Sequence, residues 1–280
     1  MTTSKASLSA VPTPAARFVD ARLRALPLST YPGHAPKNLT EAYAIQEAAI
    51  DLWPDKVGGW KVGYISPEWR GRFGVERLVG PIFRDQIRRV SASKSIDLPV
   101  FSGGFTAVEA EFVFRIGRNA SKDRINWTTE DAQALVSAMH VGIEIAGSPF
   151  AGINELGPLV TVSDFGNNAG LIVGPSIEDW SALSLETLSA ETFIDGVSAG
   201  RGSAANVTGG PIAALVFVLE NCARRRRPLL AGQWVSTGAT TGVHVIKPGQ
   251  SARVDFGAFG QIQGRAVKAE PQQIAMRKQA

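Results

Sequence analysis

Two glutamates one residue apart, Glu109 and Glu111, lie within an otherwise apolar run, residues 108–116. In an extended strand alternate side chains share a face, so the two carboxylates point the same way and the apolar residues form an opposite face that we predict to be core. The two Cα atoms are then roughly 6.5–7 Å apart, a spacing at which carboxylates can converge on one cation. A solvent-facing strand could carry such a pair without any function. The metal interpretation therefore depends on a third ligand.

Glu144 is the candidate third ligand. It lies in a short apolar segment, residues 139–145, whose β-branched residues favour a strand. A buried acid is costly unless it is paired or coordinated, so acids on two strands suggest a shared divalent cation. Three carboxylates that leave coordination positions open suit Mg²⁺ or Mn²⁺. The lone Cys222 and the three histidines show no spacing typical of a zinc site.

The composition is that of an ordinary globular protein, with 44% hydrophobic and 19% charged residues. A chain of 280 residues can form one large domain or a domain with a smaller appendage. One cysteine excludes an intrachain disulfide and fits a reducing compartment. The first 15 residues or so lack the apolar core of a signal peptide, and no later stretch is long enough to span a membrane. We therefore expect a cytoplasmic protein without a membrane partner.

The net charge of +4 and the run Arg224–Arg227 raise the question of nucleic-acid binding. The run follows a predicted helix, residues 212–223, where cations complement the dipole at the carboxyl end. No interleaving of aromatic and basic residues accompanies it. We predict no nucleic-acid partner, and interpret the arginines as a solvated helix end or as an anionic contact at a subunit interface.

Hydrophobic periodicity predicts a helical N-terminal part. Apolar residues recur at helical intervals over residues 16–25, and Asn-Leu-Thr-Glu at residues 38–41 is typical of a capping box that opens a helix to about residue 53. From residue 58 the pattern changes to short apolar strands separated by glycine and proline, with two further helices. Those helices are predicted at 129–139 and 211–223, and the strands at 60–64, 80–83, 108–116, 142–146, 171–173, 233–237, 243–246, 252–256 and 261–265.

These elements divide the chain into four parts. We predict a flexible N-terminus over residues 1–15 and a helical segment over 16–57. A compact β-rich domain with few helices then occupies residues 58–268, and residues 269–280 form a C-terminal tail.

Several short motifs follow one another in a recognisable order. They are Trp60-Lys-Val-Gly63, Phe73-Gly-Val75, Gly80-Pro-Ile-Phe83, the strand with Glu109 and Glu111, Gly142-Ile-Glu-Ile145, Ser163-Asp-Phe-Gly-Asn-Asn-Ala-Gly170, residues 229–238 and Lys247-Pro-Gly249. In this order the chain resembles the 2-keto-4-pentenoate hydratase group of the fumarylacetoacetate hydrolase superfamily. The similarity runs from about residue 16 to residue 266.

The resemblance implies an α+β fold, namely a β-rich mixed β-sandwich or β-roll of the fumarylacetoacetase type with a small helical N-terminal segment. In that fold the domain over residues 58–268 is the catalytic domain. The resemblance also implies assembly into homo-oligomers. It implies a Mg²⁺ or Mn²⁺ site built from Glu109, Glu111 and Glu144. These are the same three acids that the strand pattern indicates as candidate metal ligands.

The same resemblance assigns four further site residues. Lys61 matches the family's strand lysine and is expected to be catalytic, because a lysine beside a substrate oxyanion can supply charge or move a proton. Asp85 follows the Gly-Pro segment and is expected to handle the attacking water. Thr237 and Asp164 are expected to bind the substrate. Each of three assignments has a structural alternative. Lys61 could extend its ammonium into water, Asp85 could be an acid of a turn or of the surface, and Thr237 could satisfy a backbone group.

The chain departs from the family pattern near the expected pocket. Glu144 is followed by Ile-Ala-Gly-Ser-Pro where the hydratases carry Asp-Ser-Arg, and Ser163-Asp-Phe165 stands where they carry Ala-Asp-Asn. Asn167 and Asn168 are displaced from that motif, and Arg84-Asp85 stands where an acidic pair is common. These changes leave the metal set intact but leave a related substrate or a sister reaction open.

The implied activity is that of a divalent-metal-dependent hydro-lyase. It would add water to a 2-hydroxydienoate or 2-oxo-enoate and give a 4-hydroxy-2-oxo acid, as in meta-cleavage catabolism of aromatics. The alternatives are a 2-oxo-enedioate decarboxylase, an acylpyruvate-type carbon–carbon hydrolase and a non-catalytic family member. Hydrolysis in this superfamily uses a histidine–glutamate pair on a short lid, and residues 66–71 contain Glu68 but no histidine. The retained carboxylates and Lys61 count against a non-catalytic protein.

Overall fold

A computed structural model describes residues 13–91 and 95–272. Residues 1–12, most of the N-terminus predicted to be flexible, lie outside the described residues. Residues 273–280, at the end of the predicted C-terminal tail, do so as well. The first helix begins at Pro14, within the segment predicted to be flexible.

The helices and strands follow one another along the chain with short connections. The helices are α1 Pro14–Leu23, α2 Leu39–Leu52, α3 Pro67–Phe73, α4 Thr129–Gln133, α5 Pro158–Ser163 and α6 Gly210–Arg224. The strands are β1 Val57–Tyr64, β2 Arg77–Phe83, β3 Ile87–Arg89, β4 Ser95–Val100, β5 Phe105–Ile116, β6 Val136–Ser148, β7 Asn168–Ile177, β8 Ser189–Ile194, β9 Val197–Ser203, β10 Trp234–Ser236, β11 His244–Val245, β12 Ser251–Asp255 and β13 Gln261–Lys268.

Side-chain caps set the starts of the two N-terminal helices. The Thr13 hydroxyl accepts a hydrogen bond from the backbone N–H of Ala16, with Pro14 in the first turn. The Asn38 side chain accepts one from the N–H of Glu41 at 2.9 Å. Caps of this kind satisfy donors that the helix itself leaves free. The helix starts predicted from residues 38–41 and from the apolar pattern after residue 15 are confirmed to within two residues.

Two sheets make up the body of the protein. The first has the strand order β2-β1-β10-β5-β6-β7-β3, with β11 paired to β5 near its start, and the second has the order β4-β13-β12-β8-β9. Both sheets mix parallel and antiparallel pairs. Phe112 of β5 meets Phe256, which follows β12, with ring centroids 5.7 Å apart. The sheets therefore share a core, and the predicted α+β class is confirmed.

The central strand β5 is buried on both faces. The predicted core face, which carries Val108, Ala110, Phe112, Phe114 and Ile116, belongs to the main apolar cluster together with residues of α1, α2 and α6. The opposite face is withdrawn from solvent as well. The solvent-facing alternative for this strand is therefore wrong.

The helix predicted over residues 129–139 is wrong in its second half. The α4 helix starts where predicted, with the Thr128 hydroxyl accepting from Asp131 N–H, but it ends at Gln133. From Val136 the chain is the first part of β6, and Met139 lies opposite Phe114 of β5. Pairing with a long central strand outweighs the local helical pattern in this segment.

The arginine run joins α6 to α2 within the chain. Arg225 and Arg227 both form ion pairs with Glu47 of α2, and Arg227 Nη2 lies 2.7 Å from Asp51 Oδ1. These pairs anchor the C-terminal end of α6. Among the described residues, the helices are too short or too polar to cross a membrane.

Candidate functional site

Glu109, Glu111 and Glu144 converge on one face of the first sheet. The antiparallel register of β5 and β6 sets Glu109 directly opposite Glu144, and Glu111 follows two residues later on the same face. One carboxylate oxygen of each residue lies within 4.8 Å of the others. Their exposures are 7%, 0% and 0% in that order, so the cluster is withdrawn from bulk water.

Glu111 is oriented by the end of β10 and the loop that follows it. Its Oε2 accepts hydrogen bonds from Ser236 Oγ at 2.6 Å and from Gly238 N–H at 2.8 Å. Two donors on one oxygen fix the side-chain rotamer. The second oxygen, Oε1, is left to face the other carboxylates.

Glu144 is oriented from two sides. Asn168 Nδ2 donates to its Oε1 at 2.9 Å, and Lys61 Nζ lies 3.3 Å from the same oxygen. The lysine is 4% exposed, on β1, where it pairs in register with Ser236 of β10. Two of the residues that surround the cluster, Lys61 and Ser236, therefore come from neighbouring strands.

Two carboxylate oxygens of the cluster, Glu111 Oε1 and Glu144 Oε2, are buried and have no hydrogen-bond partner within the described part of the chain. A buried acceptor without a donor costs free energy of about 1–3 kcal/mol, and more for a charged group. The two free oxygens, together with the carboxylate of Glu109, fit a divalent cation that prefers oxygen ligands. The three carboxylates can thus hold a divalent metal ion.

The electrostatics of the cluster lead to the same conclusion. Burial raises the pKa of Glu109 to about 7, with a further increase from Glu144 and a decrease from Lys61. Burial, followed by Glu144 and Glu109, raises the pKa of Glu111 well above its usual value. Carboxylates this close cannot all ionise without a compensating cation.

Lys61 carries the positive charge that the protein itself brings to the cluster. Burial lowers the pKa of Lys61, but the carboxylates, Glu144 foremost, more than offset this, so its pKa is raised above the usual value. The side chain is therefore an ammonium that can donate hydrogen bonds. The alternative of a lysine extended into water does not describe this residue.

A cavity of about 600 Å³ opens beside the cluster. Lys61 and Glu109 both line its wall. Polar wall residues include Ser66, Glu68, Arg77, Asn154, Asn167 and Thr237, and apolar ones include Ile65, Trp69, Leu78, Phe105, Pro158 and Val243. The mixture suits a small organic anion with an apolar body.

Thr237 lies in the cavity wall, and its hydroxyl donates to the carbonyl of Phe112 at 2.6 Å. Its oxygen can still accept a hydrogen bond, but its proton is engaged. The hydroxyl proton thus satisfies a backbone group, as in the alternative interpretation. The predicted contact with substrate stays a prediction, and the oxygen is the atom that could make it.

Asp164 lies outside the cavity wall. It is 1% exposed and forms an ion pair with Arg22 of α1, whose Nε lies 2.5 Å from Oδ1. Ser148 Oγ donates to the other carboxylate oxygen at 2.6 Å. With both oxygens engaged, this carboxylate serves the packing of α1 against the sheet.

Asp85 also lies away from the cavity. Along the β1–β2 pair, Tyr64 opposite Arg77 marks the cavity end, whereas Asp85 follows Phe83 at the other end. Its side chain is exposed, and its backbone N–H donates to Asp55 Oδ2 at 2.8 Å. The structure therefore brings together the three glutamates, Lys61 and Thr237, and leaves Asp85 and Asp164 apart from them.

Several residues in or around the site were not assigned a role from sequence, among them Glu68, Asn168, Ser236 and Gly238. Glu68 stood in the segment compared with a hydrolase lid, and the structure turns that segment into α3 at the cavity wall. Ser236 and Gly238 flank Thr237, so the same motif could have identified them. Asn168 gave only the weak signal of a displaced asparagine.

No protein-family model matches the chain. A 4-oxalocrotonate decarboxylase from a Pseudomonas species is 27% identical over 205 residues, which cover 73% of this chain and 76% of that protein. A 2-keto-4-pentenoate hydratase from Paraburkholderia xenovorans is 26% identical over 230 residues, which cover 80% of this chain and 82% of that protein. These relatives confirm the predicted similarity to the hydratase group.

Solved structures agree with this fold. The 4-oxalocrotonate decarboxylase from Pseudomonas putida G7, complexed with magnesium and adipate, matches with a TM-score of 0.75 at 19% identity, covering 91% of this chain and 96% of that one. The fumarylpyruvate hydrolase from Pseudomonas aeruginosa, in complex with Mn²⁺ and pyruvate, matches with a TM-score of 0.55 at 17% identity, covering 75% and 88%. The fumarylacetoacetase-type fold predicted from sequence is confirmed.

Proposed function

We propose that this homologue of the 2-keto-4-pentenoate hydratases is a divalent-metal-dependent hydro-lyase. It adds water to a 2-hydroxydienoate, by way of the 2-oxo-enoate, and yields a 4-hydroxy-2-oxo acid, as in meta-cleavage catabolism of aromatics. One observation carries the proposal above the others. A buried cluster of three glutamates, two of whose oxygens lack a hydrogen-bond partner among the described residues, adjoins a cavity whose wall contains Glu109 of the cluster and the buried Lys61.

Glu109, Glu111 and Glu144 would hold the cation, and their carboxylates suit Mg²⁺ or Mn²⁺. When bound there, the cation supplies Lewis-acid stabilisation of negative charge on a chelating 2-oxo acid. The magnesium and Mn²⁺ complexes of the two structural neighbours support a metal of this class.

Lys61 acts on the substrate oxygen that gains charge. Its ammonium donates a hydrogen bond to the enolate oxygen and can exchange a proton with it. Glu144 holds that ammonium in place, and Asn168 holds Glu144. Since Asp85 lies outside the cavity, we assign proton exchange with the attacking water to Glu68, the acid of the cavity wall outside the cluster.

A second candidate reaction is the decarboxylation of a 2-oxo-enedioate. Arg77 lies in the cavity wall, where its Nη2 donates to the carbonyl of Thr208, and within the described residues no carboxylate pairs with it. A guanidinium placed there can donate hydrogen bonds to the second carboxylate of such a substrate. The substrate would then lose CO₂ in place of gaining water. The electron pair of the broken carbon–carbon bond would pass to the 2-oxo group, whose oxygen would gain a proton.

The carbon–carbon hydrolase has less support. His34, His140 and His244 are all absent from the cavity wall, and α3 contributes Glu68 without a histidine neighbour. The histidine–glutamate pair expected for water activation therefore does not form there.

We further propose that the enzyme is cytoplasmic and homo-oligomeric, with residues 58–268 as its catalytic domain. The free, buried Cys222 supports a reducing compartment. Exposed apolar side chains near the cavity, Val243 at 53% and Val245 at 58%, support a subunit contact.

The test is incubation with Mg²⁺ or Mn²⁺ and a panel of 2-hydroxydienoates, 2-oxo-enedioates and acylpyruvates, with products identified by mass. Gain of water supports the hydratase, and loss of CO₂ or carbon–carbon cleavage would replace it with the corresponding alternative. Metal content near zero under saturating Mg²⁺ or Mn²⁺, together with no turnover, would identify a non-catalytic protein.

A further inference from the structure

Asn167 is a buried polar residue of the cavity wall, and one of its buried side-chain atoms lacks a hydrogen-bond partner among the described residues. The residue is 5% exposed and lies in the cavity wall with Lys61 and Glu109. Its Nδ2 donates to Asn154 Oδ1 at 3.3 Å, whereas its Oδ1 has no hydrogen-bond partner in residues 13–91 and 95–272. An acceptor in this state is costly unless a ligand or water supplies a proton to it.

The backbone around Asn167 holds an uncommon conformation. Phe165, Gly166 and Asn167 have φ values of +56°, +62° and +68°. Non-glycine residues rarely adopt this left-handed region, although asparagine tolerates it better than most. Residues held in such a conformation are concentrated at functional sites, since the surroundings must enforce it.

The surroundings do enforce it here. A Cβ on Gly80 would lie 2.0 Å from the carbonyl oxygen of Phe165. The backbone of β2 therefore packs directly against the backbone of the turn at residues 165–167. The Phe165 ring packs against Phe83 with centroids 5.0 Å apart. Arg22 Nη1 donates to the carbonyl oxygen of Asn168 at 2.8 Å. The turn is fixed on both sides of Asn167.

The turn serves two purposes with adjacent side chains. Asn168 donates to Glu144 of the carboxylate cluster, and Asn167 turns toward the cavity. A ligand of Oδ1 must supply a proton. The 2-hydroxyl of the dienoate can do so only before ketonisation, and the carboxylate and keto groups of the resulting 2-oxo-enoate offer acceptors only. The reactants of the hydration step are the 2-oxo-enoate and water. Only the water offers a hydrogen-bond donor, and it does so at the carbon to which it adds.

We propose that Asn167 positions the water that adds to C4 of the 2-oxo-enoate, by accepting a hydrogen bond at Oδ1. This inference rests on the proposed hydratase function. Ketonisation first breaks the O–H bond of the 2-hydroxyl, which becomes the keto group, and places a proton on C5 of the dienoate. Water addition then forms the C4–O bond, breaks one O–H bond and places a proton on C3, so no further reactant is needed. Asn167 acts in the second step and not in the first.

The experiment follows both steps in D₂O by NMR, because deuterium at C5 reports ketonisation and the 4-hydroxy product reports hydration. Asn167→Gly removes the acceptor and suits the left-handed backbone. We expect its kcat for hydration to fall about 100-fold, the cost of misplacing a reactant. Deuterium uptake at C5, KM and Mn²⁺ affinity should match those of the wild type, and the 2-oxo-enoate should accumulate.

Two further variants separate this role from a structural one. Asp179→Gly also replaces a left-handed residue, with φ +48°, by glycine, but at a position outside the cavity wall. It should leave both ketonisation and hydration unchanged. Asn167→Asp keeps an acceptor oxygen and should restore most of the hydration rate lost in the glycine variant. It also provides a folded comparison should the glycine variant unfold.

Hydration by Asn167→Gly at the wild-type rate overturns the inference and leaves the hydratase proposal standing. Parallel loss of C5 exchange and hydration also overturns it, since Asn167 would then act on substrate binding or on the first step. A wild-type enzyme that exchanges at C5 but adds no water overturns the proposed function and the inference with it.

Discussion

Lys61 Nζ lies 3.3 Å from Glu144 Oε1, and the two side chains are 5% and 0% exposed. The same glutamate belongs to the cluster with Glu109 and Glu111, so one buried carboxylate serves both the protein's own cation and the candidate metal. Burial of a charge pair is tolerated when each member is compensated. This arrangement places a proton donor beside any substrate that reaches the cluster.

Lys61→Met should abolish turnover without removing the metal site. The three carboxylates remain, whereas the proton-exchanging group is lost, and positioned acid–base groups contribute about 10²–10⁴-fold to rate. Steady-state kinetics and metal stoichiometry by mass spectrometry check this. Lys61→Arg keeps the charge and should recover metal-bound, folded protein with reduced activity. Activity of Lys61→Met within tenfold of the wild type would contradict a catalytic lysine.

Glu111→Gln should lose metal-dependent turnover and keep its fold. Ser236 and Gly238 can still donate to the amide oxygen, and removing one buried carboxylate relieves repulsion that raises the pKa of Glu111. We therefore expect a melting temperature in chelator at least as high as that of the wild type. Metal content and thermal unfolding measure both outcomes. Full activity of a chelated sample of this variant would exclude the metal mechanism.

Metal affinity should increase with pH between 6 and 8. Glu109, with its pKa raised to about 7, and Glu111 bind protons that the cation must displace. Below the raised pKa a proton competes, so the Kd for Mn²⁺ should fall about tenfold per pH unit for each proton released. Calorimetry in buffers of different ionisation enthalpy counts these protons, and Glu109→Gln should release fewer. A pH-independent Kd would contradict the raised pKa values.

The sequence predicted best where chemistry and strand pattern agreed. Glu109 and Glu111 share a face by strand periodicity alone, and that inference is confirmed together with the buried core face of β5. Convergence of Glu144 needed the register of β5 against β6, which is set by long-range pairing and is invisible in a single segment.

The remaining residues could not be predicted for the same reason. Asp85 follows a family motif in sequence, but the direction of the β1–β2 pair carries it to the end away from the cavity. Asp164 is an acid beside the site in sequence, yet its partner Arg22 lies 142 residues away. The short turn at Phe165–Asn167 depends on Gly80 of another strand, so its geometry has no local signature.

Arg22→Met should destabilise the protein strongly. The Arg22 side chain is 1% exposed and its guanidinium pairs with Asp164, 0% exposed, and donates to the carbonyls of Gly147 and Asn168. Loss of one partner leaves a buried carboxylate without compensation, which costs about 3–5 kcal/mol. Urea unfolding of the metal-free protein measures the difference in the free energy of unfolding.

A matched control lies two residues further along the chain. Arg24 pairs with Asp20 at 3.5 Å, with side chains 62% and 63% exposed, and an exposed pair contributes only about 0–1 kcal/mol. Arg24→Met should therefore change the unfolding free energy little, although it removes the same chemical group. Equal effects of the two substitutions would show that Arg22 contributes through its apolar stem and not through its charge. A large effect confined to Arg22, relieved in part by adding Asp164→Asn, would assign the free energy to the buried carboxylate, because the second substitution removes the uncompensated charge.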